Sequence, residues 1–267
     1  MIALQWFTQP SRARSVVTVL VGTAVVWQLA VVLLKVPDFI LPAPSEIFAE
    51  LASSPGWYLR HAYFTLQSCF IGFAIAFGIG VLAAIGIVYS RFLEDTLYTL
   101  LVSLNSIPKI ALAPLFIIWL GTGLSSKVAI SALIALFAIV IDTVLGLRSA
   151  DPDAIDLSRS LRASPLQILV TIRFPSALPA MFAGTKVAIS LALVGAIAGE
   201  FVASEQGLGY VILVAQGMFQ TTRVFAAIIL LGVIGTVLFY LVDLAERMLI
   251  PWHVSHRGGR ASGAHGG

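Results

Sequence analysis

Four polar side chains stand inside otherwise apolar stretches of the sequence, where a charged or hydrogen-bonding group is a candidate functional residue. They are Asn105, Lys109, Lys186 and Glu200. A charge at membrane depth is costly, so it normally faces protein or a water-filled cavity. Lys109 and Lys186 would make such a cavity attractive to an anionic or carbonyl-rich solute. The sequence leaves an alternative equally open, in which each lysine pairs with a carboxylate or a helix C-terminus for structural reasons.

The stretch around Lys109 also carries two prolines, Pro108 and Pro114. Proline has no backbone N–H and its ring clashes with the preceding turn, so two prolines free carbonyl groups and break a helix. Inside a membrane such a break is tolerated only where the backbone is buried in protein or lines a cavity. The sequence therefore predicts an interrupted helix beside Asn105 and Lys109.

A polar segment over residues 151–167 has the signals of two short helices. Asp151 is a good N-cap, and Pro152 follows it at the first helical position, where its missing N–H does no harm. Asp153 adds a negative charge to the first turn, where the helix dipole favours it. We expect this first helix to end near Arg162.

The second helix of this segment should begin at Ser164, with Pro165 directly behind it. Gln167 stands three residues after Ser164 and completes a capping box. Arg162 and Ala163 then form the connection. The segment is thus predicted to fold as a helix–turn–helix.

The first of these two helices combines an apolar patch with charges. The patch consists of Ile155, Leu157 and Leu161, and it is flanked by Asp156, Arg159 and Arg162. An ordered element of this kind is suited to docking onto another protein. The alternative is a charged loop that only follows the excess of basic residues found on the cytoplasmic side of membrane proteins.

The sequence shows no arrangement of residues for catalysis. Its single cysteine, Cys69, cannot form an internal disulfide or a cysteine-based zinc site, and we interpret it as a small buried side chain. Residues 121–127 faintly resemble a phosphate-binding loop, but they lack the Gly-Lys-Ser/Thr ending, so we interpret them as a turn. We expect no enzymatic activity, no metal site and no cofactor bound by this chain.

The composition indicates the class of protein. Of the 267 residues, 59% are hydrophobic and 11% are charged, against about 45–50% and about 25% in soluble domains. Such a chain cannot cover itself with water-compatible side chains, which leaves an integral membrane protein. The net charge is +3 without a long run of either sign, so no nucleic-acid partner is expected.

Six apolar stretches are long enough to cross about 30 Å of hydrocarbon as helices, which takes about 20 residues each. They cover residues 16–34, 63–88, 97–120, 128–147, 175–199 and 224–244. Between the first two, Ser45 is a plausible N-cap for a short helix on the membrane surface. The predicted fold is an all-α membrane protein with six transmembrane helices and a helix–turn–helix element between helices 4 and 5.

The distribution of basic residues orients these helices with both termini in the cytoplasm. The cytoplasmic side then carries Arg12, Arg14, Arg91, Arg148, Arg159, Arg162, Arg173, Arg247, Arg257 and Arg260, and the outer side only Lys35, Arg60, Lys127 and Arg223. The predicted organisation is a cytoplasmic N-terminal segment at 1–15, a six-helix domain at 16–252 and a disordered cytoplasmic tail at 253–267.

The segment after the fourth apolar stretch resembles the cytoplasmic coupling motif in permease subunits of binding-protein-dependent ABC importers. That motif has an acid, a glycine six residues later, an isoleucine sixteen later and a proline nineteen later; here these positions hold Asp156, Arg162, Ile172 and Pro175. Arginine replaces the glycine. In a left-handed turn this costs about 1 kcal/mol, so either the turn is not left-handed or docking offsets the strain.

Other segments resemble the nitrate/sulfonate/taurine branch of these permeases, and the similarity covers roughly residues 38–252. They are residues 41–45 (LPAPS), 108–116 (PKIALAPLF), 161–165 (LRASP), 199–201 (GEF) and 207–210 (GLGY).

The resemblance implies a set of partners. A second permease chain, expected to be a copy of this one, would complete the translocation pathway within the lipid of a bacterial inner membrane. An extracytoplasmic binding protein would deliver the solute, and two cytoplasmic ATPase subunits would bind ATP and Mg²⁺. We call residues 151–174 the coupling element. Its implied ATPase-contacting residues are Asp153, Asp156, Arg159, Arg162, Ala163, Ser164 and Pro165.

Two readings of function therefore compete. In the first, the chain is an importer permease for a small anionic or polar organic solute, such as nitrate, a sulfonate, taurine or a heterocyclic vitamin precursor. In the second, it is a self-sufficient channel or secondary transporter, with Lys109 and Glu200 as gating or proton-coupling groups. The second reading leaves the capped element at 151–167 without a purpose.

Overall fold

The computed structural model describes residues 10–105 and 107–251, and within these ranges every regular element is helical. The predictions for residues 1–9 and for the tail 253–267 lie outside them. The α-helices are α1 Pro10–Leu34, α2 Pro44–Ser53, α3 Pro55–Tyr89, α4 Arg91–Leu93, α5 Thr99–Asn105, α6 Ala113–Leu120, α7 Leu124–Arg148, α8 Pro152–Ser160, α9 Pro165–Ile168, α10 Phe174–Val202, α11 Leu208–Gly217 and α12 Thr221–Leu249.

Five helical segments are long and apolar enough to cross a membrane. They lie in α1, α3, α7, α12 and the run Pro165–Val202, in which a π-helical turn at Leu169–Arg173 joins α9 to α10. Apolar side chains cover the surface of α1 on nearly all sides, and only 6% of its spanning window is buried within the chain. These features confirm an all-helical membrane protein.

The third predicted stretch, at 97–120, is not one helix. It ends as α5 at Asn105 and resumes at Lys109 as a 3₁₀ turn, Lys109–Leu112, followed by α6. Pro108 is the cause, because it cannot donate the helical hydrogen bond and it holds an extended backbone with ψ of 94°. The predicted break is confirmed, and the other five of the six predicted spanning stretches lie in long continuous helices.

Helix α2 begins one residue earlier than its predicted cap. Ala43 occupies the N-cap position and Pro44 the first turn, so Ser45 lies inside the helix. The carboxylate of Glu46 accepts a hydrogen bond from Ala43 N–H at 3.0 Å. The N–H of Ser45 donates instead to the side-chain oxygen of Gln28 in α1, also at 3.0 Å. The polar group within the first apolar stretch thus ties α1 to α2.

Helix α11 was not predicted. Its ten residues are apolar, and a helix of that length is only about 15 Å long, half of a membrane crossing. Leu208, Val211, Ile212 and Ala215 are buried. An apolar run of this length is too short to be recognised as a spanning stretch from the sequence.

The chain divides into two compact units. The first contains residues up to Gln67 together with Glu200–Thr236, and the second contains Ser68–Gly199 and the residues from Val237 onward. In the first unit, Arg223 donates from Nε to the carboxylate of Glu50 at 2.9 Å, and Tyr58 donates to the same oxygen at 3.1 Å.

In the second unit, α3, α7 and α10 meet closely around Ser131. A Cβ added to Gly72 would lie 2.5 Å from Ser131 Oγ, and one added to Gly195 would lie 2.7 Å from Ser131 Cα. The Ser131 hydroxyl donates to the Ala192 carbonyl at 2.8 Å. Small residues that let backbones approach are typical of helix packing in membranes, where van der Waals contact replaces the hydrophobic effect between helices.

We expect Gly195→Val to destabilise the chain by about 1–3 kcal/mol, because the added methyl groups force α10 away from α7. The measurement is the thermal unfolding midpoint of the purified chain in detergent. Gly232→Val is the matched control, since a Cβ at Gly232 meets nothing within 4 Å. Equal midpoints for both variants would contradict the packing assigned to Gly195.

Candidate functional site

The first helix of the coupling element starts as the sequence predicts. The carboxylate of Asp151 accepts a hydrogen bond from Asp153 N–H at 3.0 Å, and Pro152 occupies the first turn. The helix ends at Ser160, two residues before the predicted end at Arg162.

The turn after α8 is left-handed at Arg162, where φ is 59°. The N–H of Arg162 donates to the Arg159 carbonyl, and that of Ala163 donates to the Ser158 carbonyl, each at 2.9 Å. This pattern closes the helix with its last carbonyl groups bonded. Of the two alternatives for the missing glycine, the left-handed turn is confirmed, so an exposed arginine holds a conformation that costs about 1 kcal/mol.

The second helix has the predicted capping box. Ser164 Oγ accepts from Gln167 N–H at 3.3 Å, and the Gln167 side-chain oxygen accepts from Ser164 N–H at 2.7 Å. Pro165 is at the first helical position. Because α9 continues through the π-helical turn into α10, this cap fixes the start of a long helical run.

One face of the coupling element is anchored to its own unit. Ala150, Ile155 and Ile168 form a buried apolar cluster. The Tyr89 hydroxyl donates to the Pro165 carbonyl at 3.2 Å, and Arg173 donates from Nη1 to a main-chain carbonyl at the end of α7 at 3.1 Å. The element is therefore a fixed projection and not a free loop.

The opposite face is exposed and partly apolar. Leu157, Leu161 and Leu166 are 62%, 75% and 68% exposed. Asp156 and Arg159 pair with each other at 3.1 Å on the same surface. Of the remaining predicted contact residues, Asp153, Arg162, Ser164 and Pro165 are exposed and Ala163 is half-buried.

Lys109 begins the 3₁₀ turn at the helix break, and its side chain is half-buried. Its Nζ lies 4.3 Å from the centre of the Phe137 ring on α7, a cation–π contact. Asn105 ends α5 on the other side of the break, and its side chain lies outside the part of the chain that the structure describes.

Lys186 lies in a compact ionic cluster. Its Nζ is 2.5 Å from both Asp243 Oδ1 and Glu246 Oε2 on α12, and Arg247 Nη2 is 2.7 Å from Asp243 Oδ2. All four side chains are at most 17% exposed. Two cations and two carboxylates balance, so the charge of Lys186 is matched within the chain.

Glu200 is 1% exposed and lies in the first unit. Its Oε2 accepts from Gly209 N–H at 2.7 Å and from the Thr65 hydroxyl at 3.1 Å. The carboxylate therefore contacts the first turn of α11.

The sequence analysis did not identify the partners of Lys186 and Glu200. Asp243, Glu246 and Arg247 lie three and four residues apart, a spacing that places them on one face of a helix. That signal was available at the end of the last apolar stretch. His61 and Thr65 share the same four-residue spacing, but nothing in the sequence indicates that they reach α11, because that contact joins segments far apart in the chain.

Comparison with known proteins gives the family. Residues 76–251 match the sequence profile of the family described as binding-protein-dependent transport system inner membrane component. The chain is 37% identical over 255 residues to the riboflavin transport system permease protein RibX of Chloroflexus aurantiacus, which covers 95% of this chain and 94% of RibX. It is 33% identical over 236 residues to the putative aliphatic sulfonates transport permease protein SsuC of Bacillus subtilis, covering 87% of this chain and 85% of SsuC.

A solved structure shares the fold. A chain of the MetNI methionine ABC transporter in an inward-facing conformation superimposes with a TM-score of 0.65 at 20% identity, over 73% of this chain and 97% of that one. The profile match covers more than half of the chain, and both relatives exceed 30% identity over most of their length. The chain belongs to the family of inner membrane components of binding-protein-dependent transport systems, and it is a permease of the ABC importer type.

Proposed function

We propose that two copies of this chain form the translocation pathway of an ATP-driven importer in a bacterial inner membrane. Two ATPase subunits bind the coupling elements from the cytoplasm, where they hold ATP and Mg²⁺, and a binding protein delivers solute from the other side. The observation that carries the proposal is the coupling element, which is capped, anchored on one face and exposed on the other.

The two faces of the coupling element support a role in transmitting force. Its buried face, at Ile155 and Ile168, packs within the second unit. A displacement of the element by a bound partner would therefore move the helices against which it packs. Its outward face presents Leu157 and Leu161 beside charges, the mixture of apolar centre and polar rim that protein interfaces use. A self-sufficient channel has no use for such a surface.

The proposed topology places both termini and the coupling element in the cytoplasm. The five long helices supply five crossings, and the interrupted segment from α4 to α6 supplies the sixth. A broken helix is compatible with a membrane only where its free backbone groups face protein or water. The break at Pro108 therefore supports a place on the pathway for this segment, within a permease domain that spans 16–252.

Among the four polar candidates, Asn105 and Lys109 flank this break and are our proposed pathway residues. Lys186 and Glu200 were also predicted to line the pathway. Their contacts with Asp243, Glu246 and the first turn of α11 support the structural alternative for both.

The solute is proposed to be a small polar organic molecule. The similarity to a riboflavin permease over 95% of the chain supports a heterocyclic vitamin or precursor, and the similarity to a sulfonate permease supports an anionic solute. Because Lys186 is neutralised within the chain, the positive charge that we assign to the pathway comes from Lys109, and this charge suits an anionic or a carbonyl-rich solute.

We expect Leu161→Asp to lower co-purification of the chain with its ATPase subunit by roughly tenfold or more, because a charge replaces an apolar side chain at the centre of the interface. Leu161→Met is the matched control and should keep the complex. The measurement is subunit stoichiometry after affinity purification, with the helical content checked by circular dichroism. A folded Leu161→Asp chain that retains the ATPase in full would refute docking through this face.

We expect Lys109→Met to impair transport and Lys186→Met to impair stability. Lys109→Met should impair uptake by the reconstituted importer and leave its thermal stability unchanged, whereas Lys109→Arg keeps the charge and should retain uptake. Lys186→Met should destabilise the chain by about 3–5 kcal/mol, because two buried carboxylates lose their shared cation. Adding Glu246→Gln should restore part of that stability.

The measurements are solute uptake into liposomes that contain the complete importer and the unfolding midpoint of each variant. Full uptake by Lys109→Met would remove Lys109 from the pathway. A stable Lys186→Met chain with impaired uptake would instead assign Lys186 to the pathway. Uptake by the chain alone, without the ATPase, would overturn the importer proposal and favour the channel.

A further inference from the structure

Three consecutive backbone N–H groups at the start of α11 are held by three side chains from other helices. Gly207 N–H donates to His61 Nδ1 at 3.1 Å, Leu208 N–H donates to Thr65 Oγ1 at 2.8 Å, and Gly209 N–H donates to Glu200 Oε2 at 2.7 Å. We call His61, Thr65 and Glu200 the α11 clasp. These N–H groups have no partner within their own helix, so the clasp supplies the acceptors that the helix start lacks.

The clasp is buried and closely fitted. His61, Thr65 and Glu200 are 8%, 0% and 1% exposed. Gly207 has a φ of 108°, and a Cβ at this position would overlap the Glu200 carboxylate. Only glycine fits here, because both the backbone conformation and the space exclude a side chain.

The rest of α11 is held by apolar contact, which has no fixed direction. Its far end turns through Phe219, whose φ of 57° is left-handed and whose side chain is 81% exposed. Within the part of the chain that the structure describes, the hydrogen bonds that other helices make to α11 are those of the clasp. The clasp therefore sets where α11 starts and how its axis is directed.

One member of the clasp changes its bonding with a proton. Since Nδ1 of His61 accepts a hydrogen bond, the ring is neutral and carries its proton on Nε2. Proton uptake turns Nδ1 into a donor that faces the Gly207 donor, so the bond is lost and the two N–H groups oppose each other. An ordinary imidazole takes up this proton near pH 6.5.

The titratable and charged groups around His61 come from several helices. Tyr58 and Arg60 lie on α3 with His61, and Tyr210 lies on α11. Glu200 on α10 bonds to Thr65, the next member of the clasp. The Glu50–Arg223 ion pair places its guanidinium over the Trp57 ring, which in turn contacts the imidazole. The Tyr210 ring stacks on the imidazole with centroids 6.0 Å apart. At the Gly207 position a protonated Nδ1 would face the Gly207 N–H donor, while Glu200 Oε2 accepts from Gly209 and Thr65.

We propose that the α11 clasp is a proton-sensitive positioning device, in which neutral His61 holds the start of α11 and protonated His61 releases it. His61 is a positioning residue, because it acts through α11. In the orientation proposed above, residues 203–220 lie on the outer side of the membrane. The device would then respond to acidity on the side from which solute arrives, and this location rests on the proposed function.

The test is hydrogen–deuterium exchange of the full-length chain in lipid nanodiscs, read as protection factors for residues 206–210 at about pH 7.5 and about pH 5. In the natural chain we expect protection of these amides to fall roughly tenfold at the lower pH, the loss of about one hydrogen bond. Peptides from α7 should keep their protection, which separates release of α11 from unfolding.

Three variants sharpen the result. His61→Asn places an amide oxygen where Nδ1 lies and cannot titrate in this range, so protection should stay high at both pH values. His61→Leu removes the acceptor and should lower protection at both. Thr236→Val is the control, since the Thr236 hydroxyl bonds only within its own helix, to the Gly232 carbonyl, and it should behave as the natural chain does.

A second measurement reports the tautomer of His61 directly. Nitrogen NMR of histidine-labelled chain should show one histidine as the neutral Nε2–H tautomer at about pH 7.5, and the signal should be missing in His61→Asn. The proposal is overturned by equal protection of residues 206–210 at both pH values, by an Nδ1–H tautomer at His61, or by a His61→Asn chain that keeps the natural pH dependence. None of these outcomes depends on whether an ATPase binds the coupling element.

Discussion

Water is absent from the hydrocarbon layer, and every polar group placed there has to find its partner within protein. Three places in the chain, in or next to the long helices, show how such partners are supplied. The break at Pro108 leaves Lys109 over an aromatic ring, the charge of Lys186 is matched by two carboxylates, and the N–H groups at the start of α11 are bonded to the clasp. Each irregularity is stabilised by residues from another helix.

One of these places, Lys186, is joined to the coupling element by a continuous helical run. The capping box at Ser164 begins a helical run that continues to Val202. The same run carries Lys186, so one continuous helix links the cap at Ser164 to the ionic cluster. In the importer proposed above, this helix would carry a displacement of the coupling element toward the ionic cluster.

The coupling element also shows how stability and function oppose each other. An arginine stands where the family motif has glycine, and its left-handed backbone is strained. Three leucines remain exposed on the outward face of the element. A chain selected for the stability of the isolated subunit would bury or replace these residues, whereas the docking proposed above requires them to stay available for a partner.

The sequence determined the class of protein, the helical fold and the local starts of helices. Apolar length predicts spanning helices, proline predicts the break at Pro108, and the caps at Asp151 and Ser164 follow from hydrogen bonds between residues two or three apart. The family motif rests on the same local spacing. These features are readable because both partners lie within one or two turns of chain.

Only the tertiary structure decided which distant groups meet. Lys186 and Asp243 are separated by 57 residues, and Thr65 and Glu200 by 135. The sequence left two roles open for Lys186, and it gave no signal for the half-length helix α11, whose start is bonded to His61, 146 residues away in the chain. Such contacts depend on how whole helices pack, and the local spacing of residues in one sequence does not determine which helices face each other.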